Sequence, residues 1–142
     1  MMIDWQQRVE QRDINGIIEQ IPYAQTIGMS AILSDDKIIY LLKSQPENIG
    51  NPTLPALHGG CIGGFMETAA IIQCLCELKL DQIPKVVNFS IDYLRAGREQ
   101  DTYASSHIIR EGKRLVNIAI IAWQKDKAEP IASARAHFLL RH

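Results

Sequence analysis

Segment 59–80 limits the architecture more than any other part of the chain. It carries Ile62, Phe65, Met66, Ala69, Ile71, Ile72, Leu75 and Leu78. At helical spacing these side chains surround the axis, and a helix apolar most of the way round has to be buried. After Pro84 the period changes. Val87, Phe89, Ile91 and Tyr93 alternate with Asn88, Ser90 and Asp92, the pattern of a strand with one buried face. Segments 102–110, 115–124 and 131–140 read as three more strands, with turns at Glu111-Gly112 and Lys125-Asp126-Lys127. Segment 115–122 is apolar on both faces, as a central strand is. Ala132, Ala134 and Ala136 alternate with Ser133, Arg135 and His137, leaving a small-residue face against which something bulky can lie.

Upstream of the long helix the signals are shorter. Asp4 is a good N-cap with Gln7 three residues on, a variant of the capping box. Trp5, Val9, Ile17, Ile18 and Ile21 form a loose apolar stripe. Asn15-Gly16 is expected to interrupt it, Asp13 to start a second short helix and Pro22 to end the segment. Met29–Ser34 and 38–43 read as a hairpin around Asp35-Asp36-Lys37. Segment 44–57 holds Pro46, Gly50, Pro52 and Pro55 and reads as one long loop; a structureless loop of that length in a small domain is usually functional.

The order is helix, two strands, buried helix, four strands. It predicts a single α+β domain over residues 1–142, with an N-terminal helical segment at 1–21 and the central helix at 59–80. The simplest packing is an antiparallel sheet of about six strands curled around that helix. The outer face and edges of such a sheet need covering, which predicts oligomerisation.

Composition narrows the function classes. Fifteen Lys and Arg stand against sixteen Asp and Glu, unlike the basic excess of a nucleic-acid binder. Cys61, Cys74 and Cys76 show neither a disulfide framework nor zinc spacing. They read as reduced thiols in a cytoplasmic protein, and most simply as small core residues. The first residues carry no basic or apolar leader pattern. Segment 56–80 contains His58, Glu67, Gln73, Glu77 and Lys79 and reads as too polar for a membrane span. His107, His137 and His142 are scattered, and no metal ligand set is visible.

The densest chemical signal is Leu57-His58-Gly59-Gly60-Cys61-Ile62-Gly63-Gly64-Phe65-Met66-Glu67. Two glycine pairs open the helix, where exposed N–H groups and the positive end of the helix dipole favour an anion or a carbonyl oxygen gaining charge. Close helix packing would use the same glycines. Glu67 shares its stripe with Gly60, Gly63, Gly64, Ala70, Ile71 and Cys74, and nothing basic lies three or four residues away. A carboxylate on a buried helix without a partner is costly and is often functional. The alternative is that Glu67 emerges at a rim and is solvated.

These residues carry a resemblance. Asn51-Pro52, then His58-Gly59-Gly60, then Glu67 nine residues after the histidine resembles the signature of the hotdog-fold acyl-CoA thioesterases, in their PaaI-like branch. Segments 90–95 and 110–114 resemble the next strand and the basic hairpin turn of that family. The likeness spans roughly residues 20 to 140. It implies a hotdog fold and hydrolysis of an acyl-CoA to free acid and CoA, with no cofactor beyond the CoA carried by the substrate. It implies that the Gly59 N–H polarises the thioester carbonyl and that Gly60 is among the substrate-binding residues. Glu67 would be nucleophile or general base, Asn51 would position water or substrate, and His58 would shape the turn or hydrogen-bond near the carbonyl. Lys113 and Arg114, assisted by Arg95 or Arg98, would contact CoA phosphates unless the turn is simply solvated. Phe65 and Met66 would line the acyl tunnel unless they are plain core.

Gly59 and Glu67 lie eight residues apart on one helix, roughly 12 Å along its axis at 1.5 Å per residue. One chain cannot bring both to one carbonyl. A two-fold dimer with antiparallel helices would, so a homodimer with composite sites is expected, either alone or as a dimer of dimers. Two other readings compete. One is a non-catalytic hotdog protein that binds acyl-CoA or a partner. The other is a hotdog dehydratase or hydratase, whose acid would stand closer to its histidine than Glu67 does to His58. Release of free CoA thiol separates thioesterase from both.

Overall fold

The computed structural model describes residues 5–140, and for Trp5 the backbone only. The expected Asp4 cap and His142 lie outside that range. Three short helices come first: α1 (Trp5–Glu10), α2 (Ile14–Glu19) and α3 (Pro22–Ile27). Asp13 caps α2, its carboxylate accepting from the Gly16 N–H at 3.1 Å. Asn15-Gly16 lies inside α2 and does not break it. Pro22 likewise starts a helix, since it stands at the first position of α3, where its missing N–H costs nothing. Gly28, at φ 78°, closes α3 in the left-handed conformation.

The first strands come next. β1 (Met29–Ser34) and β2 (Lys37–Leu42) pair antiparallel with Ser34 opposite Lys37. The turn is therefore two residues, not three. Asp35 and Asp36 both take positive φ, 47° and 65°, the geometry that matches the twist of a hairpin and that Asp tolerates. Segment 44–57 is not the structureless loop expected. It holds a 3₁₀ turn (Pro46–Asn48) and a small ladder of β3 (Ile49–Asn51) with β4 (Ala56–Leu57). Strands of three and two residues carry no readable period.

The long helix α4 runs Gly59–Glu77, ending before residue 80. Beyond it Lys79 sits at φ 51°, which no helix continues through. Then come β5 (Lys85–Tyr93), β6 (Thr102–Glu111), β7 (Leu115–Trp123) and β8 (Ala132–Leu139). The main sheet has six antiparallel strands in the order β1-β2-β6-β7-β8-β5. β5 and β1 are its edges, and β7 is interior as its two-sided apolar pattern implied.

α4 packs on one face of this sheet. Val116, Ile118, Ile120 and Ala122 of β7 and Ala132, Ala134, Ala136 and Phe138 of β8 are buried beneath it. The three alanines form the small face against which the helix lies. Phe65, Met66, Ala69, Ile72 and Leu75 of α4 are all completely buried. Contrary to the sequence reading, α4 is long and apolar enough, at 19 residues, to cross a membrane. Two-thirds of it is buried within this chain. At its far end Tyr40 Oη donates to Gln73 Oε1 at 2.8 Å, and Gln73 Nε2 donates to Glu77 Oε1 at 2.6 Å. This chain of bonds satisfies the buried polar groups there. The arrangement is the hotdog fold.

Candidate active site

The first turn of α4 is organised by one residue. His58 is its N-cap, at φ −65° and ψ 129°. The first four N–H groups of a helix lack partners within it. Here the His58 N–H donates to Asn48 O at 2.9 Å, the Gly60 N–H to His58 Nδ1 at 2.9 Å, and the Cys61 N–H to His58 O at 2.9 Å. Among the described residues only the Gly59 N–H of the four is left without an acceptor. The bond from Gly60 fixes Nδ1 as the acceptor nitrogen of the imidazole, so in the neutral ring Nε2 carries the proton. Sequence alone left His58 between a structural and a chemical role, and its Nδ1 is structural. Gly60, expected among the substrate-binding residues, has its N–H taken by that imidazole. The 49–51 strand backs the cap: a Cβ on Gly50 would meet His58 Cα at 2.8 Å, so only glycine allows this approach.

Glu67 lies two turns along α4 and is half-buried. Among the described residues it has no hydrogen bond and no ion pair. Thr68, the adjacent hydroxyl, donates to Gly64 O at 2.7 Å and is spent there. The thiols do not compete for a chemical role. Burial raises the Cys61 thiol above its usual value, and burial with the nearby Glu77 charge pushes Cys74 up to about 12. Burial likewise takes Cys76 to about 11. All three are therefore protonated near neutrality, which suits the core role.

Two tyrosines that the sequence reading missed flank this helix face. Tyr93, at the end of β5, donates its hydroxyl to Gly59 O at 2.7 Å and lays its ring 3.4 Å from where a Gly59 Cβ would be. Tyr23 of α3 lies over Gly64, its Cε2 and Cζ only 2.6 and 2.7 Å from the position of a Cβ there. The readable trace of both was the glycine pairs themselves, which leave ring-sized gaps on α4.

The remaining expected site residues are dispersed. Asn51 is exposed at the end of β3, and its Oδ1 accepts from the Thr53 N–H at 3.0 Å. Asn48 is buried, with its Nδ2 donating to Ile27 O at 2.8 Å. Lys113 and Arg114, with Arg110, Asn117 and His137, line a cavity of about 600 Å³ on the outer face of the sheet. Arg95 is at the other end of the sheet, its guanidinium donating to Pro130 O at 2.7 Å. Arg98 lies beside it, next to Ala56. Phe65 has no exposed surface and packs in the core instead of facing a tunnel open within this chain. Phe65→Ala should therefore cost about 3–5 kcal/mol of stability, measurable by urea unfolding. A loss under about 1 kcal/mol would return Phe65 to a substrate-lining role.

The geometry has defined a class: a hotdog domain with one unspent helix-terminal N–H and one unspent carboxylate on its central helix. Comparison with known proteins agrees. Residues 54–131 match the profile of the thioesterase superfamily, more than half of the chain. The chain belongs to that superfamily and is a thioester hydrolase. It is 26% identical over 137 residues to the medium/long-chain acyl-CoA thioesterase YigI of Escherichia coli K12, covering 87% of this chain and 88% of that one. The crystal structure of a Chromobacterium violaceum protein superposes with TM-score 0.80 at 37% identity, covering 97% of this chain and 96% of that one. A Bacillus halodurans protein crystallised with CoA shares the fold, with TM-score 0.73 at 18% identity over 94% of this chain and 95% of that one.

Proposed function

We propose that the protein hydrolyses acyl-CoA thioesters, with Glu67 as the carboxylate that attacks the carbonyl or activates water and the Gly59 N–H as oxyanion donor. One observation carries the reading: among the described residues the Gly59 N–H at the α4 cap and the Glu67 carboxylate farther along the same helix both keep hydrogen-bonding capacity that the fold does not use. Oxyanion donors of this kind are worth about 3–4 kcal/mol in kcat. A carboxylate suffices as base or nucleophile because a thioester has a good leaving group. Asn51 and the Nε2 side of the His58 imidazole would orient the substrate. The relative named as an acyl-CoA thioesterase and the CoA-bound structural neighbour favour CoA as the thiol carrier.

The same reading takes the protein to be a homodimer. Gly59 and Glu67 of one chain are too far apart for one carbonyl, and β5 leaves one edge unpaired with Val86, Val87 and Tyr93 exposed. An open apolar edge is the place where a second copy pairs. With α4 antiparallel to its copy, Arg95 of one chain and Lys113 and Arg114 of the other flank the same site. This accounts for basic residues found at opposite ends of one sheet. A dimer of dimers and a cytoplasmic location are consistent with it.

The test is release of free CoA thiol from a panel of acyl-CoAs of different chain length, aromatic ones included. No turnover of any of them by correctly folded protein would leave the non-catalytic binding reading. Arg114 adds a finer measurement. Arg114→Ala should raise KM for acyl-CoA severalfold while leaving a phosphate-free pantetheine thioester unaffected, and the effect should shrink in high salt. Equal effects on both substrates would mean that Arg114 supports the fold and not the nucleotide.

A further inference from the structure

We propose that Tyr23 is a positioning residue of this site, its hydroxyl donating a hydrogen bond to the Glu67 carboxylate and fixing the orientation from which that carboxylate acts. The inference rests on the role of Glu67 proposed above. Its basis is where α3 meets α4. Gly64 stands three residues before Glu67 on the same helix face, and the Tyr23 ring occupies the space a side chain at 64 would fill, with Oη nearer that point than any other atom. Residues three apart on a helix are neighbours, so the phenol lies beside the carboxylate.

Both groups are unspent: among the described residues neither Tyr23 Oη nor Glu67 has a hydrogen-bond partner. One is a donor and the other accepts only. Burial chiefly, with Cys61 and Glu67 as titratable neighbours, raises the Tyr23 phenol above its usual value. Burial raises the Cys61 thiol as well, so near neutrality it stays protonated. Glu67 would turn about its own side-chain bonds to meet the phenol, a contact that covering of the site by substrate would strengthen.

The position of Tyr23 is built. Pro22 and Gly28 bound α3. Gln25 Nε2 donates to Ile18 O at 3.1 Å, Gln45 Nε2 to Thr26 O at 2.8 Å, and Asn48 Nδ2 to Ile27 O at 2.8 Å. Asn48 also accepts from the His58 N–H, so one residue ties α3 to the cap of α4. Tyr23 remains 44% exposed, which a residue used only for packing has no need to combine with such anchoring.

Tyr23→Phe keeps the ring and removes the donor. It should lower kcat about tenfold or more with KM within about twofold, as loss of a hydrogen bond to a charged group does. In a Glu67→Gln background it should add nothing. Gly64→Ala should give the same loss, because its methyl displaces the phenol, while the unfolding midpoint does not fall, since Ala is favoured over Gly in a helix. A readout independent of turnover is the ¹³C chemical shift of the Glu67 carboxyl at one fixed pH near neutrality, which responds to a hydrogen bond on that group and should move in Tyr23→Phe. If the wild type releases no CoA from any substrate, the thioesterase reading falls and this shift alone decides for or against Tyr23. Wild-type kcat in Tyr23→Phe with an unmoved Glu67 carboxyl shift would overturn the proposal. A kcat loss that adds to that of Glu67→Gln would overturn it too, by placing Tyr23 elsewhere in the mechanism.

Discussion

Glu67→Gln should fold and assemble as the wild type does and lose at least about a hundredfold in kcat. The side chain keeps its shape and place on α4, and the charge it surrenders holds no ion pair or hydrogen bond among the described residues. No structural contact is therefore broken, and a thermal melt should show an unchanged or slightly higher midpoint. On the proposed role, what disappears is the base or nucleophile, since an amide can neither accept the proton of water nor attack a thioester at neutral pH. Steady-state CoA release measured beside that melt separates the two quantities. A correctly folded Glu67→Gln protein with wild-type kcat would remove Glu67 from the mechanism.

Complementation between two dead variants is the other large effect expected. Gly59→Pro removes the one N–H of the α4 cap that has no internal acceptor, so the fold loses no bond. His58, at φ −65° and ψ 129°, already has the extended conformation that a proline at the next position demands, and Pro is tolerated at a first helical position. A Cβ at 59 would sit 3.4 Å from the Tyr93 ring, an ordinary contact. Gly59→Pro and Glu67→Gln should each be inactive as homodimers. A mixed dimer has one site with both defects and one with neither. With random exchange at equal mixing, half the dimers are mixed and about a quarter of wild-type activity should return. Purified mixed dimers that stay inactive would refute a site shared between chains.

Much of this fold was legible because its long elements bury one or both faces. The alternation of Val87, Phe89, Ile91 and Tyr93, and of Ala132, Ala134 and Ala136, places strands to within one or two residues, since each side chain must face either α4 or solvent. The all-round apolar pattern of α4 likewise left it no place but the centre. The elements that escaped had no period to betray them. Ala56 and Leu57 form a strand only because Ile49 and Asn51 lie opposite, and a proline such as Pro22 can stop one helix or start another with the same local sequence. In the candidate site, Glu67 and Gly59 stood out locally, one as an unpartnered acid and the other as a helix-opening glycine. Tyr23 and Tyr93 could not, because each reaches α4 from a distant element and leaves as its only trace a glycine on the helix it covers. Phe65 misled for the opposite reason: spacing shows that a residue faces inward, not whether the inside is core or cavity.

The His58 cap also bears on what the helix end will hold. A bare helix terminus offers several N–H groups and suits a phosphate or carboxylate, which spread their charge over two or three oxygens. By taking up the neighbouring donors, His58 reduces this one to a single outward N–H. A lone donor matches a single oxygen bearing concentrated charge, as in a tetrahedral intermediate, better than it matches the delocalised carboxylate of a released acid. With the Gly59 N–H as the oxyanion donor proposed above, the cap would bias the site against retaining its own product, and turnover at high product concentration should then depend on His58.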